Sequence, residues 1–268
     1  NKGLLAIIGG TGANLRGPDS PLKNTHDEVV STRWGEAFIT YGELGEKSLL
    51  FLHRHSARDG GHVPPHKINY RANIAALKML SATGIFACNA VGSLRAEWPP
   101  GTLVLLHDFL DFTAARDKTF FDDCSVHIDV TNPYCERLRA MLKNAAQREN
   151  IALLDEGVYI CTDGPRFETA AEIRAFKNWR ADVVGMTGVP EIVLAREANI
   201  SYAAVAIVTN AAAGILPQPL TQIEVLDAMR ETLPRVSQLF FSAAQNYSDD
   251  ASTQSRRVTE EFGWPSVL

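Results

Sequence analysis

The sequence predicts a single-domain α/β fold around a largely buried sheet, and three observations carry that expectation. Apolar, β-rich runs alternate along the chain with stretches of helical period, and no internal repeat or low-complexity linker interrupts them. Of the 268 residues, 46% are hydrophobic, ample for one large core. Five of the strand-like runs end in small, hydroxyl, amide or charged residues, the pattern of an open α/β sheet that binds its ligand beyond the carboxyl ends of its strands.

The strands are predicted, in order, at 4–8, 36–40, 48–52, 84–90, 102–109, 157–162, 183–185 and 203–209. Each is a short apolar or β-branched run bounded by turn residues. Helical period is seen at 70–81, 132–149, 170–180, 190–198 and 221–247. The domain is taken as 1–247. From 248 to 268 the chain turns polar, beginning Ser-Asp-Asp-Ala-Ser-Thr-Gln-Ser, and is expected to be packed on or to trail the same domain, as a loosely held surface segment.

Composition excludes several classes. A net charge of −5 is wrong for a nucleic-acid or anionic-membrane partner, which calls for a basic face. No apolar run approaches the roughly 20 residues of a membrane span. Cys88, Cys124, Cys135 and Cys161 are widely spaced and read as thiols of a reducing compartment. The chain enters its first strand without a charged leader, so a cytoplasmic location is expected.

Six segments can carry chemistry. Gly9-Gly10-Thr11-Gly12 follows the first strand, and there glycines turn the backbone so that N–H groups and the Thr11 hydroxyl face an anion. It does not open a helix, as a dinucleotide fingerprint must, and a plain turn is the alternative. His53-Arg54-His55 ends the 48–52 strand, with His62 and His66 close behind. A metal site is one reading, but Arg54, Arg58 and Lys67 among the histidines oppose a cation. An oxyanion fits the mixture better, since Arg offers a fork of donors and His donates without a fixed charge; a solvated polar loop is the third reading.

Asn89-Ala-Val-Gly-Ser-Leu94 is a strand ending in small residues that permit close approach of a ligand. In Thr162-Asp-Gly-Pro-Arg-Phe-Glu168, the capping pair Thr169 and Glu172 marks the start of a helix, which leaves Phe167 and Glu168 in the loop ahead of it. Glu168 either meets a ligand or complements the helix dipole. Gly185-Met186-Thr187 and Thr209-Asn210 likewise end strands, and the Asn210 amide both donates and accepts, as a heterocycle edge requires.

Together and in this order, these segments resemble the trimeric class of purine nucleoside phosphorylases, in the branch that acts on methylthioadenosine and methylthioinosine. The matching residues are Ile7-Ile8-Gly9-Gly10-Thr11-Gly12, Arg54-His55 with Lys67-Ile-Asn-Tyr70-Arg-Ala-Asn73, Ala90-Val-Gly-Ser-Leu94, Gly164-Pro-Arg-Phe-Glu168 and Gly185-Met-Thr-Gly-Val-Pro-Glu191, and the likeness runs from residue 4 to about 230. The resemblance implies a central mixed, twisted β-sheet flanked by helices. It implies phosphorolysis: inorganic phosphate attacks the anomeric carbon and releases a free purine and a pentose 1-phosphate. Phosphate is then a co-substrate, with no metal or organic cofactor.

By the same resemblance Thr11, Arg54, His55, Ala90 and Thr187 surround the phosphate, Phe167 stacks on the purine and Met186 lies under the ribose; Asn89 stands where the methylthioadenosine enzymes resemble Thr, a departure that leaves it as a candidate phosphate or ribose ligand. His55 and Asn210 become the catalytic pair, and Thr209 joins Glu168 and Asn210 at the base. His127 matches a histidine that reaches a neighbouring subunit's site, so a homotrimer, or a hexamer of paired trimers, is implied. Ile223 and Leu226 match apolar positions along the 5′-methylthio pocket, although plain helix core is their alternative reading.

Three positions at the base site depart from the methylthioadenosine enzymes. Those resemble Gly-Pro-Arg-Phe-Ser and Thr-Asp-x-Asp at the base, where this chain has Glu168, Asn210 and Ala212. Glu and Asn there are similar to the 6-oxopurine phosphorylases, because a carboxylate accepts from N1–H of hypoxanthine and Asn donates to N7 or O6. The expected substrate is S-methyl-5′-thioinosine or another 6-oxopurine nucleoside. The rivals are a methylthioadenosine phosphorylase, a nucleosidase that uses water, and a nucleoside-binding protein without activity.

Overall fold

Side chains alternate across the first strand, and that alternation creates a two-sided core. In β1 (Leu4–Gly9), Leu5 and Ile7 join one buried cluster while Ala6 and Ile8 join the other. This computed structural model describes residues 3–9, 20–57, 60–217 and 221–259. The turn holding Thr11 therefore lies outside the described residues.

β2 (Lys23–Thr32), β3 (Gly35–Leu44) and β4 (Lys47–His53) form an antiparallel meander, and β4 pairs with β1 in parallel. β1 pairs in parallel with β5 (Ala82–Ser93), which pairs in turn with β9 (Ser201–Ala211), again in parallel. β6 (Leu103–Phe112) and β7 (Leu154–Thr162) are parallel to each other, and β8 (Val183–Gly185) follows β7. β8 then meets β5 and β6 meets β9, both antiparallel. The sheet is thus mixed, as expected. It is not simply open, however, since β5, β8, β7, β6 and β9 close on themselves into a ring.

Helices cover both faces. α1 (Tyr70–Met79) and α4 (Glu191–Glu197) pack on one cluster through Ile74, Leu77, Ile192 and Ala195. α2 (Glu136–Arg148) and α5 (Gln222–Gln245) pack on the other through Leu138, Leu142, Met229, Leu239 and Phe240. α3 (Ala170–Asn178) closes a smaller third cluster with Ile173 and Phe176. The Thr169–Glu172 capping box starts α3 as predicted. No helix among the described residues is long and apolar enough to cross a membrane.

Two expectations are corrected. β2 was not predicted, because it is a polar edge strand in which only Val30 is buried. The segment after Tyr247 is not loosely held over its described part: Ser255 is 5% exposed and Thr259 0%. Ser255 shares a hydrogen bond with Ser201 at the start of β9, the Thr259 amide donates to Asn199, and Arg256 pairs with Asp249. These few bonds contribute on the order of 1–2 kcal/mol. A chain ending at Tyr247 is expected to lose that stability, read as a Tm lowered by several degrees in calorimetry; an unchanged Tm would mean the docking contributes nothing.

Candidate active site

Five strand ends bring the motifs together around one cleft. Arg54 and His55 stand at one end of it, with Ala90 and Thr187 beside them. Phe167, Glu168, Thr209 and Asn210 form the other end, and Met186 lies on the wall. The wall of the cleft is mostly backbone and apolar surface from Val91, Gly92, Val184 and Gly185.

Arg54 is buried and its fork is already engaged. Nε and Nη2 each donate to Glu191 at 2.7 Å, and Nη1 donates to the Cys88 carbonyl. Tyr202 donates to the same Glu191 carboxylate at 2.8 Å. Burial alone lowers the Arg54 pKa, and the Glu191 charge more than reverses that. Glu191 therefore holds the guanidinium charged and fixed, and leaves only the remaining Nη hydrogens of Arg54 for any further acceptor. Removing one partner of such a buried pair costs about 3–5 kcal/mol.

His55 Nδ1 lies 2.8 Å from the Val63 carbonyl, which can only accept, so Nδ1 carries the proton. Burial lowers its pKa to about 4, with Arg54 and His62 adding to the effect, and His62 stacks on the ring at 4.6 Å. The neutral ring offers a lone pair at Nε2, where the sequence reading made His55 a donor. It accepts a hydrogen from a protonated oxyanion, or donates once it is itself protonated.

Thr187 is oriented from behind. Its amide and that of Gly188 both donate to the Tyr159 hydroxyl, and Asn89 Nδ2 donates to the Thr187 Oγ1 at 2.8 Å. Accepting from Asn89 leaves the Thr187 hydroxyl hydrogen for a ligand. This corrects the place of Asn89, which supports Thr187 rather than lining the cleft. Gly185 permits the arrangement, because a Cβ there would sit 2.8 Å from the Tyr159 ring.

At the other end, the Thr209 hydroxyl donates to Asn210 Oδ1 at 2.8 Å, and Asn210 Nδ2 donates to the Ala211 carbonyl at 2.9 Å. The amide is thereby oriented, with its second Nδ2 hydrogen left to donate. Glu168 is half-buried, and burial raises its pKa against the lowering effect of the Thr162 hydroxyl, 2.7 Å away. Gly164 adopts a φ of +66°, and a Cβ there would strike the Met186 sulfur.

Besides Asn89, three sequence assignments do not line this cleft. Ile223 is 71% exposed and Leu226 39%, while Val225 is the α5 residue on the wall. The reason is helical phase: Val225 continues the inward stripe of Met229, Thr232 and Val236. His127 lies exposed on the 113–135 connection, away from the cleft of its own chain.

Arg116, Tyr159 and the role of Glu191 were missed from sequence. Arg116 donates to the carbonyls of Thr162, Asp163, Met186 and Val189 and packs over the Tyr70 ring. It thus ties the two loops that follow β7 and β8. An isolated Arg in a polar connection gives no local signal of this. Glu191 does sit inside a quoted motif, where its proline-led helix start offered the only hint.

Fold and cleft together are those of a nucleoside-cleaving α/β enzyme, and comparison with known proteins agrees. Residues 5–244 match the Phosphorylase superfamily, and the chain belongs to that family. The 6-oxopurine nucleoside phosphorylase of Pyrococcus furiosus is 44% identical over 247 residues, 89% of this chain and 91% of the relative. The probable S-methyl-5′-thioinosine phosphorylase of Methanocaldococcus jannaschii is 47% identical over 230 residues, 85% and 86% of the two chains. Among solved structures, methylthioadenosine phosphorylase from Schistosoma mansoni in complex with adenine superposes with a TM-score of 0.87 at 31% identity, covering 97% of each chain.

The His55 pKa makes a stability prediction. A His held at about 4 when folded and near 6.5 when unfolded leaves the unfolded chain with more bound protons between those values. Its contribution is present in full above about pH 6.5 and is lost as pH falls toward 4, up to roughly 3 kcal/mol. In urea titrations from pH 7 to 4, His55→Gln is expected to lose less stability than the wild-type chain; parallel losses would contradict the buried, neutral state.

Proposed function

We propose that this chain is a phosphate-dependent phosphorylase of 6-oxopurine nucleosides, with S-methyl-5′-thioinosine as the favoured substrate. The observation that carries this is a single cleft lined by Glu168 and an oriented Asn210 as well as by Arg54 and His55. Curated relatives at 41–47% identity named for 6-oxopurine nucleosides and for methylthioinosine support it.

Phosphate held by the free Arg54 N–H groups, the Thr187 hydroxyl and His55 would attack the anomeric carbon from below the sugar. Positive charge grows on the ribose and negative charge on the departing purine. Bound phosphate stabilises the first, and the Asn210 amide hydrogen at N7 stabilises the second. An ionised Glu168 accepts from N1–H of a 6-oxopurine, whereas adenine presents a lone pair there. Such a mismatch supports rejection of adenine by as much as about 10⁴ in rate. Phosphate is the co-substrate, and the reaction as drawn calls on no metal or organic cofactor. A cytoplasmic homotrimer, with exposed His127 turned to a neighbour's cleft, completes the proposal.

A second reading, an ordinary 6-oxopurine nucleoside with a 5′-hydroxyl, is favoured by the exposure of Ile223 and Leu226, which leaves Val225 as the apolar side chain of α5 on the wall. Initial rates of phosphorolysis on methylthioinosine, methylthioadenosine, inosine and adenosine separate the readings. Methylthioinosine is expected to be cleaved fastest, and full activity in phosphate-free buffer would refute phosphorolysis altogether. The pair Glu168→Ser with Asn210→Asp is expected to shift kcat/KM toward methylthioadenosine by at least tenfold. Unchanged preference in that double variant would overturn the account of base selection.

A further inference from the structure

Glu168 is the pivot of the proposed base selection, and its charge is not secured by a cation. Burial pushes its carboxyl up, toward the neutral acid. A neutral Glu168 is a hydrogen-bond donor, and a donor faces N1 of adenine as readily as a carboxylate faces N1–H of hypoxanthine. Base selection by this residue therefore depends on whatever keeps it ionised.

The charged groups around it largely cancel. Arg166, on the same loop, favours the anion, but it is held in a bidentate pair by Glu172 of α3, which opposes it. At the end of β7, Asp163 and Arg116 face each other at 3.2 Å. Arg54 and Glu191 compensate each other at the far end of the cleft, beside a neutral His55. The residues that β5, β9 and α5 give to the cleft, among them Gly92, Asn210 and Val225, are uncharged.

Two uncharged donors remain: the Thr162 hydroxyl, 2.7 Å from Glu168 Oε1, and the backbone N–H of Glu168 itself, of which the hydroxyl has the larger effect. Thr162 is the last residue of β7, paired in register with Phe112 of β6, and its carbonyl is held by Arg116. The hydroxyl is thus presented from a fixed backbone and, lying behind Glu168, does not line the cleft. A hydroxyl that donates to a carboxylate stabilises the anion over the acid.

Resting on the 6-oxopurine reading above, we infer that Thr162 is a positioning residue for base selection: its hydroxyl holds Glu168 as an oriented anion whose other acceptor positions meet N1–H of the purine.

The test is the pH dependence of kcat/KM, which reports the free enzyme, for the wild-type chain, Thr162→Val and Thr162→Ser on methylthioinosine and methylthioadenosine. Activity on the 6-oxo substrate requires ionised Glu168 and falls as pH drops through its pKa, giving an acidic limb. Valine keeps the shape and strand preference of threonine but loses the donor. The limb is expected to move up by about one pH unit, and the 6-oxo over 6-amino preference at pH 7 to fall about tenfold. Serine is expected to restore both.

A Thr162→Val limb and preference equal to wild type would overturn the inference, as would a serine variant that behaves like valine. If valine prevents folding, Thr162→Ala is read by the same criteria. A wild-type chain without 6-oxo preference would instead refute the base assignment, and a limb that still moved in Thr162→Val would leave the Thr162–Glu168 coupling standing.

Discussion

The parallel pairing of β5 with β9 is the constraint on which the cleft depends. It runs from Gly84 opposite Ser201 to Ser93 opposite Ala211, and both strands are buried over nearly their whole length. Because the pair also closes the ring through β8, β7 and β6, it brings strand ends that run in opposite senses to one place. Gly92 aligns with Asn210 on one side and with Val184 on the other. Without that closure, the Glu168 loop and the Asn210 strand end would lie on different edges of an open sheet.

Within this frame the two ends of the cleft are built on different physics. The Arg54 end is a fully buried ion pair, rigid because separating the charges in a dry interior is so costly. The Glu168 end is nearly free of net charge and relies on hydroxyl and amide groups to set donor and acceptor directions. The first arrangement suits a dianion whose position must not vary. The second suits discrimination between heterocycles that differ by one hydrogen and one exchange of donor for acceptor.

Much of this was legible in the sequence. The buried strands read as apolar runs because both of their faces are covered, and the five helices showed their period for the same reason. β2 was invisible because an exposed edge strand has no apolar alternation to display. At the site, the segments after β4, β5, β7, β8 and β9 stood out through their small and polar residues, and the structure brings them to one cleft. The supporting residues did not stand out. Thr162 acts on a residue six places along a loop, and Glu191 meets Arg54 across 137 positions, so neither leaves a local pattern. Ile223 and Leu226 were misplaced because apolar residues at the start of a helix show that a stripe exists, without showing which of two adjacent stripes turns inward.

Arg116 gives the cleft one further property. A single guanidinium binds carbonyls from both the loop after β7 and the loop after β8, so the two loops are mechanically one piece. Moving the backbone of one loop would displace the other with it. Side-chain exchanges on an unmoved backbone leave this clamp intact, whereas a backbone shift in either loop strains it.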